Sequence, residues 1–503
     1  MRIIPATMAT QHPDNASAPY WDVRKRPFIS VYQEIGEAVS CFKDMDVSEY
    51  MWDWEGKHAD AAVIDRLFSE YFDYFSDDKL GNDKFLTFRI PNIWEEKGYN
   101  LLQAMTVILS SEDFARDLKL KGRPLFEVIL PMTERADQLM HIHRLFEKLA
   151  KFKSSEFTTD HTNTEYLELI PLVESVDSQL AVVDLLNDYV KFHEQHFGKR
   201  PEYIRTFLAG SDSALTSGFL AGIIGNKVAL ARLYEFQAQT KIPIYPIFGC
   251  GSLIFRGGLS PTTESINRFI QEFPGIRTAT VQSSFRYDHP QITVKKAIKR
   301  LEKELVKAKP LKIKSNDQKV LVEITAMSAG YYKKSLREIL PAMQQIFELI
   351  PKRRDRRQHI GLLAYGRNMG ELTMPRAITF TAGFYSIGVP PEFIGIGRAL
   401  NELKPKDLST LLSNYPNIKK DLKQAGRYVN HDNLQAFADG NEAWSEIKLD
   451  IELTEKILGI RLGPKSEDDL RHKKLSSKLK QQKDNTKVQS IITQMAVLRK
   501  SLG

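Results

Sequence analysis

Short runs of β-branched and aromatic residues recur at regular intervals along the first part of the chain. Seven such runs are separated by helical patterns, and their centres lie about 35 to 41 residues apart. They cover residues 49–54, 84–89, 125–130, 166–171, 203–208, 242–248 and 278–282. An alternation of this length is typical of parallel strands joined by helices that cover the sheet.

An eighth candidate strand, residues 376–381, would complete a closed ring. We therefore predict an α/β fold, a (β/α)8 barrel of the TIM type with large helical insertions and a helical C-terminal region. The competing architecture, a doubly wound open sheet, would need a glycine-rich dinucleotide fingerprint, and the chain offers none to support it.

The spacing of the predicted strands also indicates how the chain is organised. We expect one barrel-based catalytic unit over residues 1–503, with barrel strands and helices at about 45–290 and 373–400. Residues 290–372 are rich in Lys, Arg and Glu and predict a helical insertion, and residues 401–503 predict a helical C-terminal region. Within that region, residues 465–487 are strongly charged and poor in large apolar side chains, which favours a loop.

Composition excludes several classes of protein. Of the 503 residues, 42% are hydrophobic and 27% are charged, a balance typical of soluble globular proteins. No apolar run reaches the roughly 18 residues that a membrane span needs, and no signal peptide is evident. The two cysteines, Cys41 and Cys250, do not make a disulfide framework. We expect a cytoplasmic protein without membrane contacts.

The net charge of +8 has two interpretations, an affinity for nucleic acid or membrane surfaces, or a cationic site for small anions. The basic residues are not interleaved with aromatic residues as in a nucleic-acid platform. The densest basic stretch, residues 295–319, contains Glu302 and Glu304 and predicts an exposed helix and linker. We therefore favour the small-anion site and expect no nucleic-acid partner.

Polar residues follow several of the predicted strands, at the end of a barrel where function gathers. Glu174 follows the fourth predicted strand and Asp212 follows the fifth. One carboxylate from each of two neighbouring strands suits Mg²⁺, which takes a few carboxylates and keeps other oxygen ligands. From the residues alone, helix capping is an equally good explanation for both acids. Arg89 ends the second predicted strand and Arg286 follows the seventh.

A glycine-rich loop follows the sixth predicted strand and carries Arg256, Gly257 and Gly258. Glycines let backbone amides approach a phosphate, and arginine offers a planar fork of donors. We expect Cys250 in this loop to be a packed residue, because no paired histidine is evident nearby. The run at residues 352–357 contains Arg353, Arg354, Arg356 and Arg357. It is either a solvated charge run or part of a phosphate or effector pocket.

Residues 8–15, Met-Ala-Thr-Gln-His-Pro-Asp-Asn, place His12 beside a proline and among polar side chains. Histidine has the side-chain pKa nearest neutral pH, so a rigidly held imidazole can act as a general base. The alternative is an ordinary surface histidine near a terminus.

Four of these segments occur in the order found in one enzyme family. They are the His-Pro pair at 12–13, Pro-Leu-Val-Glu at 171–174, Ser-Asp-Ser-Ala at 211–214 and Arg-Gly-Gly-Leu-Ser-Pro at 256–261. Together they resemble the phosphoenolpyruvate carboxylases. Thr-Gln-His-Pro-Asp-Asn at 10–15 and Trp-Asp-Trp-Glu-Gly-Lys at 52–57 resemble the short archaeal-type form in particular.

The resemblance implies that bicarbonate is joined to phosphoenolpyruvate with Mg²⁺, or Mn²⁺, to give oxaloacetate and phosphate. The route runs through carboxyphosphate and the enolate of pyruvate, and it supplies four-carbon acids. By motif position, His12 is the base, and Glu174 and Asp212 hold the metal. Arg256 and Arg89 contact phosphate or carboxylate oxygens.

The resemblance also suggests substrate contacts for Gly257, Gly258, Arg286 and Arg376, the last with a less defined role. It implies a homotetramer and a closing loop, for which the glycine-rich loop is our candidate, and it allows inhibition by aspartate or malate near the C-terminal tail. Leu215 and Ser217 stand where the long bacterial and plant form has Lys and Asp. We therefore do not expect regulation by acetyl-CoA or phosphorylation.

Two other functions are kept as alternatives. One is a different barrel lyase or phosphotransferase acting on phosphoenolpyruvate or a related oxyacid, because a fold does not fix a reaction. The other is a basic, non-catalytic anion-binding protein. Only the carboxylase would fix labelled bicarbonate.

Overall fold

The computed structural model describes residues 3–57, 59–76, 79–95, 98–120, 122–157, 165–355 and 374–503. Within these residues, eight parallel strands close into a barrel in which each strand pairs with the next and the last pairs with the first. The strands are Thr7–Thr10 (β1), Glu49–Asp53 (β2), Phe85–Arg89 (β3), Glu127–Leu130 (β4), Glu168–Val173 (β5), Phe207–Ala209 (β6), Ile247–Gly249 (β7) and Thr278–Val281 (β8). The predicted α/β barrel is confirmed.

Helices connect the strands and extend the barrel at its C-terminal side. Those that come before or between strands, or directly follow β8, are Glu34–Lys43 (α1), Val63–Glu70 (α2), Phe72–Phe75 (α3), Tyr99–Asp117 (α4), Ala136–Glu156 (α5), Val176–Leu180 (α6), Val182–Phe197 (α7), Gly210–Ser217 (α8), Phe219–Thr240 (α9), Thr263–Glu272 (α10), Ser283–Tyr287 (α11) and Gln291–Leu305 (α12).

The remaining helices are Ser315–Glu348 (α13), Ala377–Ser386 (α14), Ile396–Glu402 (α15), Pro405–Asn414 (α16), Ile418–Gly426 (α17), His431–Ala438 (α18), Glu442–Leu458 (α19), Glu467–Gln481 (α20) and Asn485–Arg499 (α21). Short 3-10 turns lie at Val31–Gln33, Ile254–Arg256 and Pro391–Phe393. None of the helices in the described ranges is long and apolar enough to cross a bilayer.

Seven of the predicted strands overlap observed ones, and the eighth prediction is wrong. Residues 376–381 lead into α14, and the missing strand is β1, which pairs with both β2 and β8. β1 reads Thr-Met-Ala-Thr, without an aromatic residue, Val or Ile, so it lacks the pattern that marked the other strands. The run at 376–381 packs as a helix against α13 and α21, and Thr381 Oγ1 donates 2.7 Å to the carbonyl of Ala377 one turn earlier.

All eight barrel strands therefore lie between Thr7 and Val281, and residues 377–400 belong to the helical part that follows them. The predicted charged loop at 465–487 is also wrong, because α20 covers most of it. Ser466 and Asp469 form a capping box at its start, and α20 packs against α18 and α21. The apolar residues Ile491, Ile492 and Met495 of α21 are buried against the rest of the protein.

The inside of the barrel has an apolar layer above a charged layer. The apolar layer comprises Met8, Met51, Ile129, Ile170, Leu172, Phe207, Ala209 and Ile247. Below it, the fully buried Arg205 donates to Glu49 Oε2 at 2.7 Å, Glu127 Oε2 at 2.6 Å and Thr278 Oγ1 at 3.1 Å. These contacts fill the N-terminal end of the barrel, so a substrate cavity is left for the opposite end.

We predict that Arg205→Met destabilises the fold by about 3–5 kcal/mol, because it leaves two buried carboxylates without their shared cation. Urea unfolding followed by circular dichroism measures the change. Arg116→Met is the matched control, since Arg116 pairs with Asp113 at the exposed surface and such pairs contribute about 0–1 kcal/mol. Equal unfolding midpoints for the two variants would contradict the prediction.

Candidate active site

A cavity opens at the C-terminal ends of the strands. Its floor is apolar and includes Met51, Leu172 and Phe207, and its charged lining side chains are His12, Arg89, Asp212, Arg256 and Arg376. These five come from positions far apart in the sequence, and all five are among the predicted site residues. The cavity therefore gathers one imidazole, one carboxylate and three guanidinium groups.

Arg256 lies in a buried network that fixes its guanidinium group. It ends the 3-10 turn after β7 and is 1% exposed. Its Nη1 donates to Asp14 Oδ2 at 3.0 Å and to the Gly503 carbonyl at 2.6 Å. Its Nε donates to Ser211 Oγ at 3.2 Å, and Nη2 donates to Gln282 Oε1. Arg256 therefore presents a rigid group to the cavity.

Asp14 connects this arginine to the rest of the site. Its Oδ1 accepts the Ser284 N–H at 2.7 Å, and its Oδ2 accepts the Ser284 hydroxyl at 2.7 Å as well as Arg256. Its backbone carbonyl accepts the N–H of Leu502 at 2.7 Å. The loop after β1, helix α11 and the glycine-rich loop thus meet at the buried Asp14 carboxylate, and residues 501–503 reach the Asp14 carbonyl and Arg256.

Arg89, the last residue of β3, is held by two carboxylates from the end of β2. Its Nε and Nη2 donate to the two oxygens of Asp53 at 2.9 and 2.7 Å. Its Nη1 lies 2.8 Å from Glu55 Oε2. All three residues are buried. A guanidinium held in this bidentate manner has a fixed plane, which suits recognition of a planar carboxylate or a phosphate.

His12 is half-buried at the edge of the cavity, two residues beyond the end of β1. Its Nδ1 lies 2.9 Å from Thr10 Oγ1. Its carbonyl accepts the N–H of Asp14 at 3.1 Å, which closes a turn around Pro13. The imidazole is therefore held by the strand on one side and by the Asp14 turn on the other.

Glu174 and Asp212 follow β5 and β6, which pair with each other. Ser175 caps α6, so Glu174 lies outside that helix, whereas Asp212 lies in the first turn of α8, where a carboxylate also stabilises the helix start. Within the described ranges no group of three His, Cys, Asp or Glu side chains forms a complete metal-binding set. Asp212 lines the cavity, whereas Glu174 directly follows β5, is buried and is not among the lining residues.

The chain matches the family model described as phosphoenolpyruvate carboxylase over residues 4–503. A protein of that name from Leuconostoc mesenteroides is 55% identical, over 100% of this chain and 99% of the relative. Two archaeal proteins of the same name are also similar. That of Metallosphaera sedula is 35% identical over the full length of both chains, and that of Pyrococcus horikoshii is 38% identical over 85% and 88%.

The chain belongs to the phosphoenolpyruvate carboxylase family. It resembles the short archaeal-type form, and by family it is an enzyme of the carboxy-lyase class.

The structure places the other predicted site residues of this carboxylase in different ways. Arg376 lines the cavity directly before α14. It lies so close to Gly56 that a Cβ there would be 2.7 Å from its Nη2. Gly257 and Gly258 do not line the cavity. Their N–H groups donate at 3.0 Å to carbonyls of Ile254 and Leu253 within the loop.

Arg286 also lies outside the cavity lining. It is fully buried in α11 and its Nη2 donates to Glu37 Oε1 at 2.8 Å and to the Thr10 carbonyl at 3.0 Å. Sequence position identified the loop correctly but not the direction of the side chain, which is set by Glu37 on α1. The structure therefore assigns Arg286 a supporting position behind β1.

The glycine-rich loop is clamped rather than free to close. Arg268 donates 2.7 Å to the Gly257 carbonyl and forms a bidentate pair with Asp421 on α17. From the C-terminal region, Glu392 accepts the Phe255 N–H at 2.8 Å, and burial raises the pKa of Glu392 to about 7. The expectation that this loop acts as a lid is not supported, because its residues are nearly all buried.

The structure explains Cys250 and part of the basic run at residues 352–357. Burial raises the pKa of the Cys250 thiol to about 12, which suits a packed residue and not a nucleophile. Arg353 donates 2.9 Å to the Asn15 carbonyl, and Arg354 pairs with Glu34 and Glu37. Arg353 and Arg354 are thus buried structural cations. Arg356 and Arg357 lie outside the described residues.

Sequence reasoning missed the residues that hold the arginines. Asp53 and Glu55 belong to the Trp-Asp-Trp-Glu-Gly-Lys segment, and Asp14 belongs to the opening octet. Their presence in family motifs was a signal, but their partners could not be identified from spacing. For Gly503, the only sequence signal was its place at the end of the basic segment Arg499 to Gly503.

We predict that Gly503→Ala lowers kcat/KM by about 100-fold, since small displacements of an active-site group can cost that much. A Cβ at this position would lie 2.0 Å from the Ile378 carbonyl and 2.8 Å from the Ala382 nitrogen, so the Gly503 carbonyl must move away from Arg256. Steady-state kinetics measures the loss.

Gly330→Ala in α13 is the control for this change, because no heavy atom lies within 4 Å of the added Cβ. Its kcat/KM should equal that of the parent protein, and thermal unfolding should show both variants folded. An unchanged kcat/KM in Gly503→Ala would show that the contact with Arg256 is dispensable.

Proposed function

We propose that this protein is a phosphoenolpyruvate carboxylase that joins bicarbonate to phosphoenolpyruvate and releases oxaloacetate and phosphate. The observation that carries the proposal is the meeting of His12, Arg89, Asp212, Arg256 and Arg376 around one cavity. Relatives that bear this name match the whole chain. A site rich in guanidinium groups suits a substrate that carries both a phosphate and a carboxylate.

The arginines would bind and orient the substrate. Arg256 would contact the phosphoryl group, because its plane is fixed by Asp14, Gln282 and Ser211. Arg89, held by Asp53 and Glu55, would contact a phosphate or carboxylate oxygen. Holding phosphoenolpyruvate and bicarbonate in contact converts a bimolecular reaction into one within a complex.

Glu174 and Asp212 would hold Mg²⁺, or Mn²⁺. Their carboxylate chemistry and their place after paired strands fit the ion, and no other ligands need come from the protein. Charge supports the same assignment, because Arg89 and Arg256 are already paired with carboxylates and an incoming anion would otherwise be repelled by Glu174 and Asp212. When bound, the ion supplies Lewis-acid stabilisation for a developing oxyanion.

In the proposed reaction, His12 is the only protein group that accepts and releases a proton. A bicarbonate oxygen attacks phosphorus, the bond from phosphorus to the enol oxygen breaks, and carboxyphosphate and the enolate of pyruvate result. His12 then removes the carboxyl proton, and the bond from carbon to the bridging oxygen breaks to give carbon dioxide and phosphate. The enolate carbon attacks carbon dioxide, and the proton on His12 passes to phosphate.

The cavity must keep carbon dioxide next to the enolate until they react. The floor formed by Met51, Leu172 and Phe207 offers an apolar surface that excludes water from this step. By family resemblance we further propose a cytoplasmic homotetramer that supplies four-carbon acids and is open to inhibition by aspartate or malate. Size-exclusion chromatography with light scattering tests the assembly.

We predict that His12→Asn abolishes oxaloacetate formation while phosphate and pyruvate are still released. The attack of bicarbonate on phosphorus does not need the base, whereas the decomposition of carboxyphosphate within the site does. Carboxyphosphate that leaves the site breaks down in water to phosphate and bicarbonate or carbon dioxide, and the enolate takes a proton to become pyruvate. Oxaloacetate is measured by coupling to malate dehydrogenase and NADH, and pyruvate by coupling to lactate dehydrogenase. Equal loss of both products would remove His12 from the proposed role.

Labelled bicarbonate supplied to the unmodified protein tests the proposed function. It should incorporate labelled bicarbonate into oxaloacetate only when phosphoenolpyruvate is present. Product formation from phosphoenolpyruvate without any need for bicarbonate would favour a different lyase or phosphotransferase.

Removal of the metal is expected to stop the reaction. We predict that EDTA abolishes activity, that Mg²⁺ or Mn²⁺ restores it, and that Asp212→Asn weakens the apparent affinity for the metal by at least about tenfold through loss of a charged ligand. Activity titrated against free Mg²⁺ measures the shift. Asp177→Asn is the control, since Asp177 lies in α6 outside the cavity lining. Full activity in EDTA would contradict the metal assignment.

A further inference from the structure

The residue that contacts the His12 ring lies two positions before it. Thr10 is the last residue of β1 and is fully buried. Its Oγ1 is 2.9 Å from His12 Nδ1. A buried hydroxyl is rarely left without a hydrogen-bond partner, so this contact is part of the fold and is not an incidental approach.

Thr10 is itself held in place by the barrel. Its backbone pairs with Met51 of β2. Its carbonyl accepts the Nη2 of Arg286 at 3.0 Å, and Arg286 is fixed by Glu37 at 2.8 Å. The hydroxyl therefore has little freedom relative to the strand, and it can transmit the rigidity of the barrel to the imidazole ring.

The hydrogen bond also bears on which ring nitrogen carries the proton. In a neutral imidazole one nitrogen donates and the other accepts, and the partner of one nitrogen sets the state of the other. The 2.9 Å contact accommodates donation in either direction. In the direction in which Nδ1 donates to Thr10 Oγ1, the proton resides on Nδ1 and the lone pair resides on Nε2. A base that removes a proton from substrate needs that lone pair on a nitrogen directed at the cavity.

We propose that Thr10 is a positioning residue that orients His12 and keeps Nδ1 protonated, so that Nε2 accepts the carboxyl proton. The proposal rests on the proposed function of His12 as the base. Thr10 does not touch substrate, and Arg286 supports it from behind. This gives Arg286 a role in the reaction that acts through β1 and not through contact with substrate.

Loss of the contact between Thr10 and His12 should change the ratio of the two products, whereas a general loss of folded protein should not. The enolate of pyruvate has two fates, which are attack on carbon dioxide to give oxaloacetate and protonation to give pyruvate. A misoriented base slows the release of carbon dioxide, and so more enolate is protonated. The ratio of pyruvate to oxaloacetate should therefore rise, whereas a smaller fraction of folded protein lowers both products in proportion.

The test compares Thr10→Val, which keeps the shape but lacks the hydroxyl, with Thr10→Ser, which keeps the hydroxyl. Thr10→Ala provides a second variant without the hydroxyl if valine disturbs the packing. Thr7→Val is the matched control, because it makes the same change at the other end of β1, where Thr7 contacts Glu302. Pyruvate and oxaloacetate are measured in parallel at saturating bicarbonate and Mg²⁺.

We expect the ratio of pyruvate to oxaloacetate to rise about tenfold in Thr10→Val and Thr10→Ala. This rise is smaller than the whole contribution of a general base, because His12 itself is still present. Thr10→Ser and Thr7→Val should keep the parent ratio. A parent ratio in the variants without the hydroxyl, or a raised ratio in Thr7→Val, would overturn the proposal. If the parent protein fixes no labelled bicarbonate, the proposed function fails instead, whatever the variants show.

Discussion

The buried ion pair between Asp14 and Arg256 is the contact on which the geometry of the site depends. Asp14 lies on the loop after β1, and its carboxylate also accepts the N–H and hydroxyl of Ser284 after β8. A buried pair is worth its desolvation only when further hydrogen bonds complete it, and here they do. Because β1 and β8 are adjacent, the pair fixes the glycine-rich loop at the seam where the barrel closes.

Buried carboxylates offset the charge of two arginines that line the cavity. Asp53 and Glu55 both contact Arg89, and Asp14 contacts Arg256, so these arginines are oriented without creating a large excess of positive field. Binding of a multiply charged anion then requires additional positive charge near Glu174 and Asp212. For the proposed metal, this arrangement predicts coupling with an anionic substrate, since each would lower the electrostatic cost of binding the other.

Most of the barrel could be predicted because seven strands carry aromatic or β-branched runs. The exception is β1, whose Thr-Met-Ala-Thr sequence lacks such a run and whose strand structure depends on pairing with β2 and β8. Asp212 and Arg256 were found because they follow strands, and position after a strand is visible in sequence. The role of Asp14 could not be found, since Ser284 lies 270 residues away. Arg286 was misplaced because the partner Glu37, and not sequence position, determines where its side chain points.

The contacts of Asp14 and Arg256 with Leu502 and Gly503 bear on when the enzyme becomes competent during its synthesis. The barrel strands are complete at Val281, so a nascent chain can close the sheet while later residues are still in the ribosome. The guanidinium network is finished only after residues 501–503 emerge. The closed sheet can therefore form before the contacts that fix Arg256 are complete.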